Sequence, residues 1–539
     1  MLLIGTMITF AQDFIWLEQI GGNTSPDYHG DWAYSMVGDE QYLYIAGHFQ
    51  DTAHFGDTSL ISLGERDVFI AKTDTFGNCQ WVIQAGGVES DYARSIALDG
   101  ANIYIAGGME NAAIFGDTTV TSSYLRVGFV AKYDTAGNFH WVNHYNGSGS
   151  VSYGVTTDIN NNLYVTGWFE NLTDFGDTVL TSYGSQDIFI TKHNQAGDLM
   201  WVVQAGDMAY DKGCGIVADN QSDPGIYLTG TFDKTALFGD TTLLAYGQYN
   251  GFYDIFLAKY DTNGNFIWAR KAGGYGYDTG HSLDCDEHNS VYMSGIFKDS
   301  VLFADTVPLT AEHTYDNFIA KYSGAGDLVW VETAGGGSNY DFQFTDVTYD
   351  DNSGNIYVSG GFMDESIYGD TSLASTGDWD IFVAELNANG NYLWVIGAGG
   401  TQYDKGASVW PMHHSVYACG GFQETAQFHD TTLITYGFRD AFICRIGVVK
   451  PFNYSSEYTA SQMLVYPNPG AGLFHVTIPN SSIALLEVYT IHGQRLMVQQ
   501  MSSDNSGKSS LNLKQLPKGV YVLRAYTNRD IFSRKIIIR

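Results

Sequence analysis

Aspartates recur at two places in the sequence, and carboxylates at fixed spacing can bind cations or act as acids and bases. The first series stands two positions after an aromatic residue and just before threonine, as in Phe55-Gly56-Asp57-Thr58. Its members are Asp57, Asp117, Asp177, Asp240, Asp305, Asp370 and Asp430. With loop carbonyls these carboxylates could ligate Ca²⁺, but no DxDxDG run supports such a site. An aspartate after glycine also caps a tight turn, and the pattern favours that structural role.

The second series lies just before the first strand of each repeated unit described below. Its members are Asp27, Asp91, Asp211, Asp278, Asp341 and Asp404, and the tyrosines beside them include Tyr28, Tyr92 and Tyr403. If the first strands line a central channel, these side chains surround one mouth of it. They form a candidate ring for a cation or sugar ligand, with a solvated or capping role as the alternative. Ser152 and Tyr153 break the pattern in one unit.

Signatures of catalysis are missing from the sequence. It contains no nucleophile elbow, phosphate-binding loop, dinucleotide fingerprint, HExxH motif or EF-hand loop. The five cysteines lack CxxC spacing and predict neither a zinc site nor a disulfide framework. The repeats are nearly equivalent, whereas catalysis needs an asymmetric set of groups. We therefore predict that the chain is not an enzyme and that Ca²⁺ is the one cofactor it could hold.

A unit of 60 to 67 residues recurs along the chain and is marked by a tryptophan. The tryptophans are Trp16, Trp81, Trp141, Trp201, Trp268, Trp330 and Trp394. Each unit contains segments of alternating apolar and polar residues, such as 226–230 and 254–260, which predict four strands with one buried face. An Asp-x-x-Gly-Asn turn, as at 74–78, joins the third strand to the fourth. Such units, unable to bury both faces alone, are typical of a β-propeller.

Incomplete units at the two ends of the repeats predict how the ring of repeats closes. Trp16 has no third strand before it, and residues 440–445 form a third strand with no tryptophan strand after it. A strand around residues 14–19 would complete the last unit. The predicted fold class is therefore all-β: a seven-bladed β-propeller over residues 12–447, closed by an N-terminal strand. After a linker at 448–462, short alternating strands over 463–539 predict a small C-terminal Ig-like β-sandwich.

The distribution of charge restricts the partners. The net charge is −33, and residues 455–539 hold nine Lys and Arg against four Asp and Glu, which leaves 17 against 55 for the rest. An acidic body is repelled by phosphate backbones and anionic lipid, so we predict no nucleic-acid partner and no membrane insertion. The apolar start MLLIGTMITFAQ has the character of a secretory signal, and we expect residues 1–11 to be the remnant of a signal peptide.

The repeat resembles the bacterial SBBP-type β-propeller repeat, whose pattern contains FGDTTL, DIFIAKYD, GNxxW, AGG and GNIYIAG. The resemblance covers about residues 13–447. The departures include Val127-Gly128 in one third strand, Glu385 and Arg445 in place of its lysine, and Ala304 in place of the glycine of FGDT.

The end of the chain resembles the C-terminal sorting domain of the type IX secretion system of Bacteroidetes. The residues that carry this resemblance are Tyr466, Pro467, Asn468, Pro469, Gly493, Pro517 and Gly519. The resemblance implies export through the Sec system, passage over the outer membrane and removal of the domain on arrival. It therefore implies the type IX secretion machinery as a partner and an extracellular or outer-surface location.

Three functions are compatible with these features. We favour an exported, monomeric binding or scaffold protein that presents propeller loops to a glycan or protein ligand. A secreted polysaccharide-degrading enzyme, either a lyase or a glycosidase with its site at the channel mouth, is the first alternative. A structural component of an adhesive or gliding surface is the second.

Overall fold

The regular structure of the described residues consists of β-strands. The computed structural model describes residues 11–22, 30–122, 124, 126–219, 224–247, 251–337, 345–412, 415–449, 463–477, 483–490, 495–500, 508–527 and 531–539. These ranges contain no helix, and so no helix that could cross a membrane. The chain divides into two units: one comprises Phe14–Pro411 with Val416–Ile446, and the other comprises Gly447–Arg539 with Met1–Asp13 and Met412–Ser415.

The first unit contains the repeats, whose segments of period-two alternation form strands as expected. Its strands are β1 (Ala11–Ile20), β2 (Trp32–Gly38), β3 (Tyr42–Phe55), β4 (Thr58–Asp74), β5 (Cys79–Gly87), β6 (Tyr92–Leu98), β7 (Asn102–Met109), β8 (Ala112–Phe115), β9 (Thr118–Thr121), β10 (Val127–Asp134), β11 (Phe139–Thr157), β12 (Leu163–Asp174), β13 (Val179–His193), β14 (Leu199–Ala205), β15 (Lys212–Ala218), β16 (Gly225–Asp233), β17 (Thr235–Phe238), β18 (Thr241–Leu244), β19 (Tyr253–Asp261), β20 (Phe266–Gly274), β21 (Thr279–Cys285), β22 (Val291–Phe303), β23 (Val307–Tyr322), β24 (Leu328–Gly337), β25 (Asp346–Asp350), β26 (Asn355–Phe362), β27 (Glu365–Tyr368), β28 (Thr371–Ala374), β29 (Asp380–Leu386), β30 (Tyr392–Gly400), β31 (Lys405–Met412), β32 (Ser415–Phe428) and β33 (Thr431–Val449).

Within the sheets of the first unit, seven successive runs of four paired strands can be distinguished, and we call them modules 1 to 7 in chain order. They are β2-β3-β4-β5, β6-β7-β10-β11, β11-β12-β13-β14, β15-β16-β19-β20, β21-β22-β23-β24, β25-β26-β29-β30 and β31-β32-β33-β1. The short strands β8, β9, β17, β18, β27 and β28 form hairpins outside these runs. The first half of β11 closes module 2 and its second half opens module 3. Because β1 lies beside β33, the N-terminal strand completes a module whose other strands come from the far end of the repeats.

The first strands of successive modules contact one another. Direct hydrogen bonds join them from Ile96 N to Ser35 Oγ (3.3 Å), Val155 N to Ser95 Oγ (3.2 Å), Ser282 Oγ to Asp346 Oδ1 (2.7 Å), Ser408 Oγ to Asp346 Oδ2 (2.8 Å) and Met36 N to Ser408 Oγ (3.2 Å). Between modules 3 and 5, β15 packs against both β11 and β21. The contacts therefore run from module 1 through module 7 and return to module 1. This arrangement of sheets is compatible with a propeller-like fold.

The repeated tryptophan of one module packs on the turn between the third and fourth strands of the next, which is Asp-x-x-Gly or a variant with Asn or Ser in place of Asp. Trp81 lies against Gly137, whose φ of +89° favours glycine, and a Cβ there would lie 3.4 Å from the indole. The pairs are Trp81–Gly137, Trp141–Gly197, Trp201–Gly264, Trp268–Gly326, Trp330–Gly390 and Trp16–Gly77. Trp16 Nε1 also donates to Thr75 O at 3.1 Å, as Trp141 Nε1 donates to Gln195 O at 3.2 Å. The N-terminal tryptophan thus makes the same contact as the internal ones.

Trp394 is the exception, and a departure from the repeat pattern accompanies it. Module 7 has no turn between its third and fourth strands, since β33 and β1 come from opposite ends of the repeats. Trp394 Nε1 donates instead to the carboxylate of Glu385, which stands where modules 1 to 5 have lysine. In modules 1 to 3 the lysine reaches the next turn, as Lys72 Nζ does to Thr135 O at 3.0 Å. Lys259 and Lys321 donate instead to tyrosine hydroxyls of their own modules. Glutamate therefore replaces lysine at the boundary where this turn is missing.

The second unit contains two sheets that share an apolar core. Its strands are β34 (Leu464–Tyr466), β35 (Leu473–Thr477), β36 (Ile483–Thr490), β37 (Arg495–Gln500), β38 (Lys508–Asn512), β39 (Gly519–Thr527) and β40 (Ile531–Ile538). The sheets have the orders β34-β35-β38 and β37-β36-β39-β40. Val476, Leu511 and Leu523 are fully buried in the core between them. An Ig-like sandwich at this position stays a prediction.

Replacing Trp16 tests whether β1 is an integral strand of module 7. We expect Trp16→Ala to lower the free energy of unfolding by about 2–4 kcal/mol, because a half-buried indole and its hydrogen bond are lost. Trp141→Ala, at the equivalent internal contact, serves as the matched comparison and should cost a similar amount. Urea unfolding followed by fluorescence and circular dichroism provides the measurement. A stable Trp16→Ala beside a destabilised Trp141→Ala would show that β1 is only a frayed end.

Candidate functional site

The described aspartates of the second series are buried between modules. Asp91 Oδ2 accepts from Gly87 N at 2.7 Å, at the end of module 1, and Asp91 Oδ1 accepts from Glu110 N at 3.1 Å in module 2. Asp211, Asp278 and Asp404 accept backbone N–H groups at the same two places. All four carboxylates are fully buried. They satisfy backbone donors at the module boundaries, which favours the capping role over a ligand ring.

Asp31, which the sequence pattern missed, occupies the equivalent position in module 1. Its carboxylate is fully buried and accepts from Gln50 N at 2.8 Å and from the backbone of Gly22. Asp27 was predicted instead because a tyrosine follows it, as one follows Asp91. The segment that aligns with Asp91-Tyr92-Ala93 is Asp31-Trp32-Ala33, with tryptophan as the aromatic residue. Asp27, Tyr28 and Asp341 lie outside the described residues, as does Gly493.

A second aspartate faces each of these across the boundary. Asp67 begins the third segment of module 1, is fully buried, and accepts from Leu63 N at 2.8 Å. A Cβ on Gly86 would overlap its carboxylate, which explains the first glycine of the Ala-Gly-Gly motif. The same pairing of carboxylate and glycine occurs at Asp187–Gly206, Asp254–Gly273, Asp380–Gly399 and Asp440–Gly21. These groups give five of the boundaries a pair of buried carboxyls.

Burial dominates the acidity of these carboxyls. It raises the pKa of Asp91 and of Asp404 to about 8, and the nearby Asp67 and Asp380 add to the respective increases. It raises the pKa of Asp31, Asp211 and Asp278 well above the ordinary value. A proton held by each pair limits the cost of placing two carboxyls out of water.

The boundary between modules 2 and 3 lacks both carboxylates. Val127 stands where Asp67 stands in module 1, and Ser150 stands at the position of Asp91. The serine serves the neighbouring backbone, since Gly128 N, next to Val127, donates to Ser150 Oγ at 2.8 Å and this hydroxyl donates to Tyr145 O at 2.7 Å. A neutral arrangement therefore replaces the charged pair as a unit.

The aspartates of the first series lie at exposed hairpin tips. Asp57, Asp117, Asp177, Asp240, Asp305, Asp370 and Asp430 are all exposed. The residue before them adopts a left-handed conformation at Gly56 (φ 58°) and also at Ala304 (φ 49°), which is why glycine is usual there. Among the described residues, no three His, Cys, Asp and Glu side chains form a group that could hold a metal ion. Binding of Ca²⁺ at these tips stays a prediction.

A set of unlike side chains occupies one equivalent position in the first strands. In modules 1 to 5 this strand contains a β-bulge between the second and fourth residues, so one residue is left out of the pairing. The bulge residues are Tyr34, Arg94, Tyr153, Cys214 and His281. Tyr34, Arg94, Cys214 and His281 are not among the site residues predicted from the sequence. The available signal was that this position varies while its neighbours repeat.

Bulge residues from different modules converge on Arg94. Its guanidinium carbon lies 4.3 Å from the ring centroid of Tyr34 in module 1 and 5.8 Å from that of Tyr153 in module 3. The ring of Tyr92 in its own module lies 5.1 Å away. On the opposite side of the repeat, His281 Nδ1 lies 3.4 Å from Thr345 Oγ1. Three modules thus bring one cation and three phenol rings together.

The protonation states of this set favour recognition over nucleophilic chemistry. Burial raises the pKa of the Cys214 thiol to about 11, so it is not a thiolate at neutral pH. Burial and the charge of Lys405 lower the pKa of His281 to about 3, so the imidazole is neutral. Burial raises the pKa of Tyr92 to about 12, which keeps its hydroxyl protonated. The cluster therefore offers hydrogen-bond donors, aromatic faces and a fixed positive charge.

The motif residues near the C-terminus hold the second unit together. Asn468 Nδ2 donates to Lys535 O at 2.7 Å, and Ile537 N donates to Asn468 Oδ1 at 3.0 Å, which fastens the segment containing Tyr466, Pro467 and Pro469 to β40. In the LPKG segment, Tyr521 OH donates to Pro517 O at 2.6 Å, and Gly519 begins β39.

The comparisons with known proteins identify one domain. Residues 464–539 match the family described as "Secretion system C-terminal sorting domain". An uncharacterised WD repeat-containing protein of Acanthamoeba polyphaga mimivirus is 24% identical over 426 residues, covering 64% of this chain and 30% of that protein. Regulatory protein FlaEY of Caulobacter vibrioides is 28% identical over 174 residues, covering 32% and 18% respectively. The chain thus spans less than a third of the length of these curated relatives.

Solved structures resemble the chain only distantly. A member of the duf4221 family from Bacteroides vulgatus has a TM-score of 0.31 at 10% identity and covers 82% of this chain and 99% of that one. A eukaryotic initiation factor has a TM-score of 0.30 at 7% identity and covers 90% and 98%.

The buried carboxyls predict a pH dependence that a neutral substitution reduces. Between the ordinary aspartate pKa near 4 and the folded value of about 8 for Asp91, the unfolded chain has lost a proton that the folded chain retains. This aspartate therefore destabilises the fold increasingly as the pH rises through that window. Asp91→Asn loses one acceptor and should be about 1–3 kcal/mol less stable than wild type at pH 5. The difference in the free energy of unfolding between wild type and Asp91→Asn should narrow towards pH 8.

Urea unfolding at pH 5, 6, 7 and 8 measures this gap. Asp57→Asn, the same substitution at an exposed hairpin tip, is the matched control and should show no pH-dependent difference from wild type. A gap for Asp91→Asn that widens with pH would show that Asp91 is ionised in the fold.

Proposed function

We propose that the chain is an exported binding protein whose repeats form a seven-bladed β-propeller, with the bulge residues of the first strands as its ligand site. The observation that carries this proposal is the convergence of Tyr34, Arg94 and Tyr153 from three modules. Nearly equivalent modules that differ at this one inward position provide an asymmetric surface on a symmetric frame. The ligand is a glycan or a protein.

Three observations support the closed propeller. The first strands contact one another from module 1 to module 7 and back to module 1. The strand β1 lies beside β33. A relative with 24% identity carries WD repeats in its name, and WD repeats form propellers.

The C-terminal domain accounts for the location. The sorting domain at 464–539 implies handling by the type IX secretion machinery, and therefore export to the cell surface or the medium. An acidic, exported frame is suited to presenting a site outside the cell. The SBBP-type assignment and the bacterial group belong to the same proposal.

The sorting domain can be tested by its removal. Deletion of residues 464–539 in the producing bacterium should leave the chain in the periplasm, because the machinery no longer recognises it. Cell fractionation with immunoblotting measures the location. The full-length chain with Asp57→Asn is the control and should be exported normally. Export of the truncated chain at the wild-type level would show that these residues are not the sorting signal.

The binding role can be tested by replacing tyrosines inside and outside the proposed site. Mature protein should select a ligand on a glycan array or in a pull-down, and Tyr34→Ala with Tyr153→Ala should weaken that binding at least tenfold. Tyr183→Ala, at an exposed outer-strand tyrosine, is the matched control and should bind like wild type. No binding in either assay, together with measurable turnover of a polysaccharide, would favour the alternative, a lyase or glycosidase.

A further inference from the structure

Cations and aromatic rings alternate along one end of modules 6, 7 and 1. Lys405 Nζ lies 4.4 Å from the ring centroids of both Trp379 and Tyr403. The guanidinium of Arg439 lies 4.8 Å from the rings of both Tyr403 and Trp32. One aromatic ring, that of Tyr403, is thus shared by two cations.

The same arrangement continues into the bulge cluster of modules 1 to 3. The ring centroids of Trp32 and Tyr34 are 5.8 Å apart, and Arg94 lies over Tyr34 at 4.3 Å. Arg66 lies 5.9 Å from the ring of Tyr92, which Arg94 also contacts. We call the four cations Arg66, Arg94, Lys405 and Arg439, with the rings that they contact, the cation–aromatic array. From Trp379 in module 6 to Tyr153 in module 3, it spans five consecutive modules.

The array lies at one end of the modules, as the strand positions of its four cations show. Lys405 begins the first strand of module 7, and Arg94 is the third residue of the first strand of module 2. Arg66 and Arg439 directly precede Asp67 and Asp440, which mark the same boundary end of the third segments. The array therefore lies beside the buried carboxyl pairs, at the end opposite the Asp-x-x-Gly turns.

The other repeated cations have a different position and a structural role. Lys72, Lys132 and Lys192 donate to turn carbonyls of the next module at 3.0, 3.1 and 2.9 Å. They lock the turn end of neighbouring modules together. These lysines also lie over tyrosine rings, as Lys72 Nζ does at 3.9 Å from the ring centroid of Tyr42, so the array cations differ from them by lying at the other end of the modules. Lys405 is fully buried there, and its positive charge helps to lower the pKa of the inward-facing His281. The array contains four of the 17 Lys and Arg that precede residue 455.

We propose that the cation–aromatic array binds the acidic end of a saccharide, a terminal sugar that bears a carboxylate or a sulfate. Guanidinium groups bind such anions through paired N–H donors. The half-buried rings of Tyr34, Tyr153 and Tyr403 offer faces on which the CH groups of a pyranose pack. An acidic peptide lacks a saturated ring to place on those faces. This inference rests on the proposed binding function and specifies its ligand.

The charge of the frame restricts the ligand further. Repulsion between the acidic surface and a long polyanion acts over about 8 Å at physiological ionic strength. A ligand that inserts one charged end into the array avoids most of that repulsion. Affinity should therefore depend on the terminal sugar and should not rise steeply with chain length.

Isothermal titration calorimetry of the full chain tests the inference. The probes are a galacturonic acid trimer and hexamer, a sulfated chondroitin hexasaccharide, a neutral galactose hexamer and a glutamate hexapeptide. At least one acidic saccharide should bind at least tenfold more tightly than the neutral hexamer and the peptide, and the galacturonate trimer and hexamer should differ by less than about threefold. Arg94→Gln and Arg439→Gln should each lower that affinity at least tenfold.

Two further variants keep the test falsifiable. Arg94→Lys retains the charge and should lose less affinity than Arg94→Gln, which separates recognition from a folding defect. Lys271→Gln removes a cation outside the array. Lys271 lies on β20, the fourth strand of module 4, and its Nζ is 3.7 Å from the ring centroid of Tyr246. The variant should bind the saccharide within twofold of the wild-type affinity.

The failures of the two proposals are distinguishable. Equal binding of acidic and neutral saccharides, unaffected by Arg94→Gln, would overturn the acidic ligand and leave the binding function in place. Peptide binding as tight as saccharide binding would assign the array to an acidic protein partner. No binding of any probe would overturn the inference, and an empty glycan array and pull-down would overturn the proposed function as well.

Discussion

The packing of a tryptophan on the glycine turn of the following module is the contact on which the repeat unit depends. A four-stranded module buries one face at most by itself, so its second face must be covered by a neighbour. The indole provides that cover, and glycine at the turn allows it to approach. Because Trp16 makes this contact with Gly77, the two ends of the repeats are joined through side chains as well as through the pairing of β1 with β33.

The opposite end of five described boundaries relies on buried carboxyls. The acceptors Asp91 and Asp404 meet backbone donors that would otherwise be unsatisfied when two modules meet. At one boundary both carboxylates are replaced together, by Val127 and Ser150, which indicates that the pair acts as a unit. These aspartates recur because neighbouring backbones require acceptors, and their recurrence is therefore compatible with a purely structural role.

Periodicity in the sequence was sufficient to predict the strands, the turns and the pairing of the N-terminal strand with the last repeat. The spacing of Trp16 and the lone third strand before residue 446 led directly to that pairing. Burial of Asp91 could not be read in the same way, because it depends on the module packed against it. Asp31 was missed because its neighbour is tryptophan and not tyrosine. The bulge residues were missed because a search for repeats looks for sameness, whereas Arg94 and His281 occupy a position that differs between modules.

Repeated residues thus hold the modules together, whereas the bulge position of the first strands differs between modules. The closed arrangement depends most on β1 being an integral strand of module 7. Native-state hydrogen exchange measured by mass spectrometry tests this directly. The amides of residues 14–19 should exchange as slowly as those of residues 80–84 in β5. Exchange of residues 14–19 at the unprotected rate, while β5 remains protected, would contradict the closed arrangement.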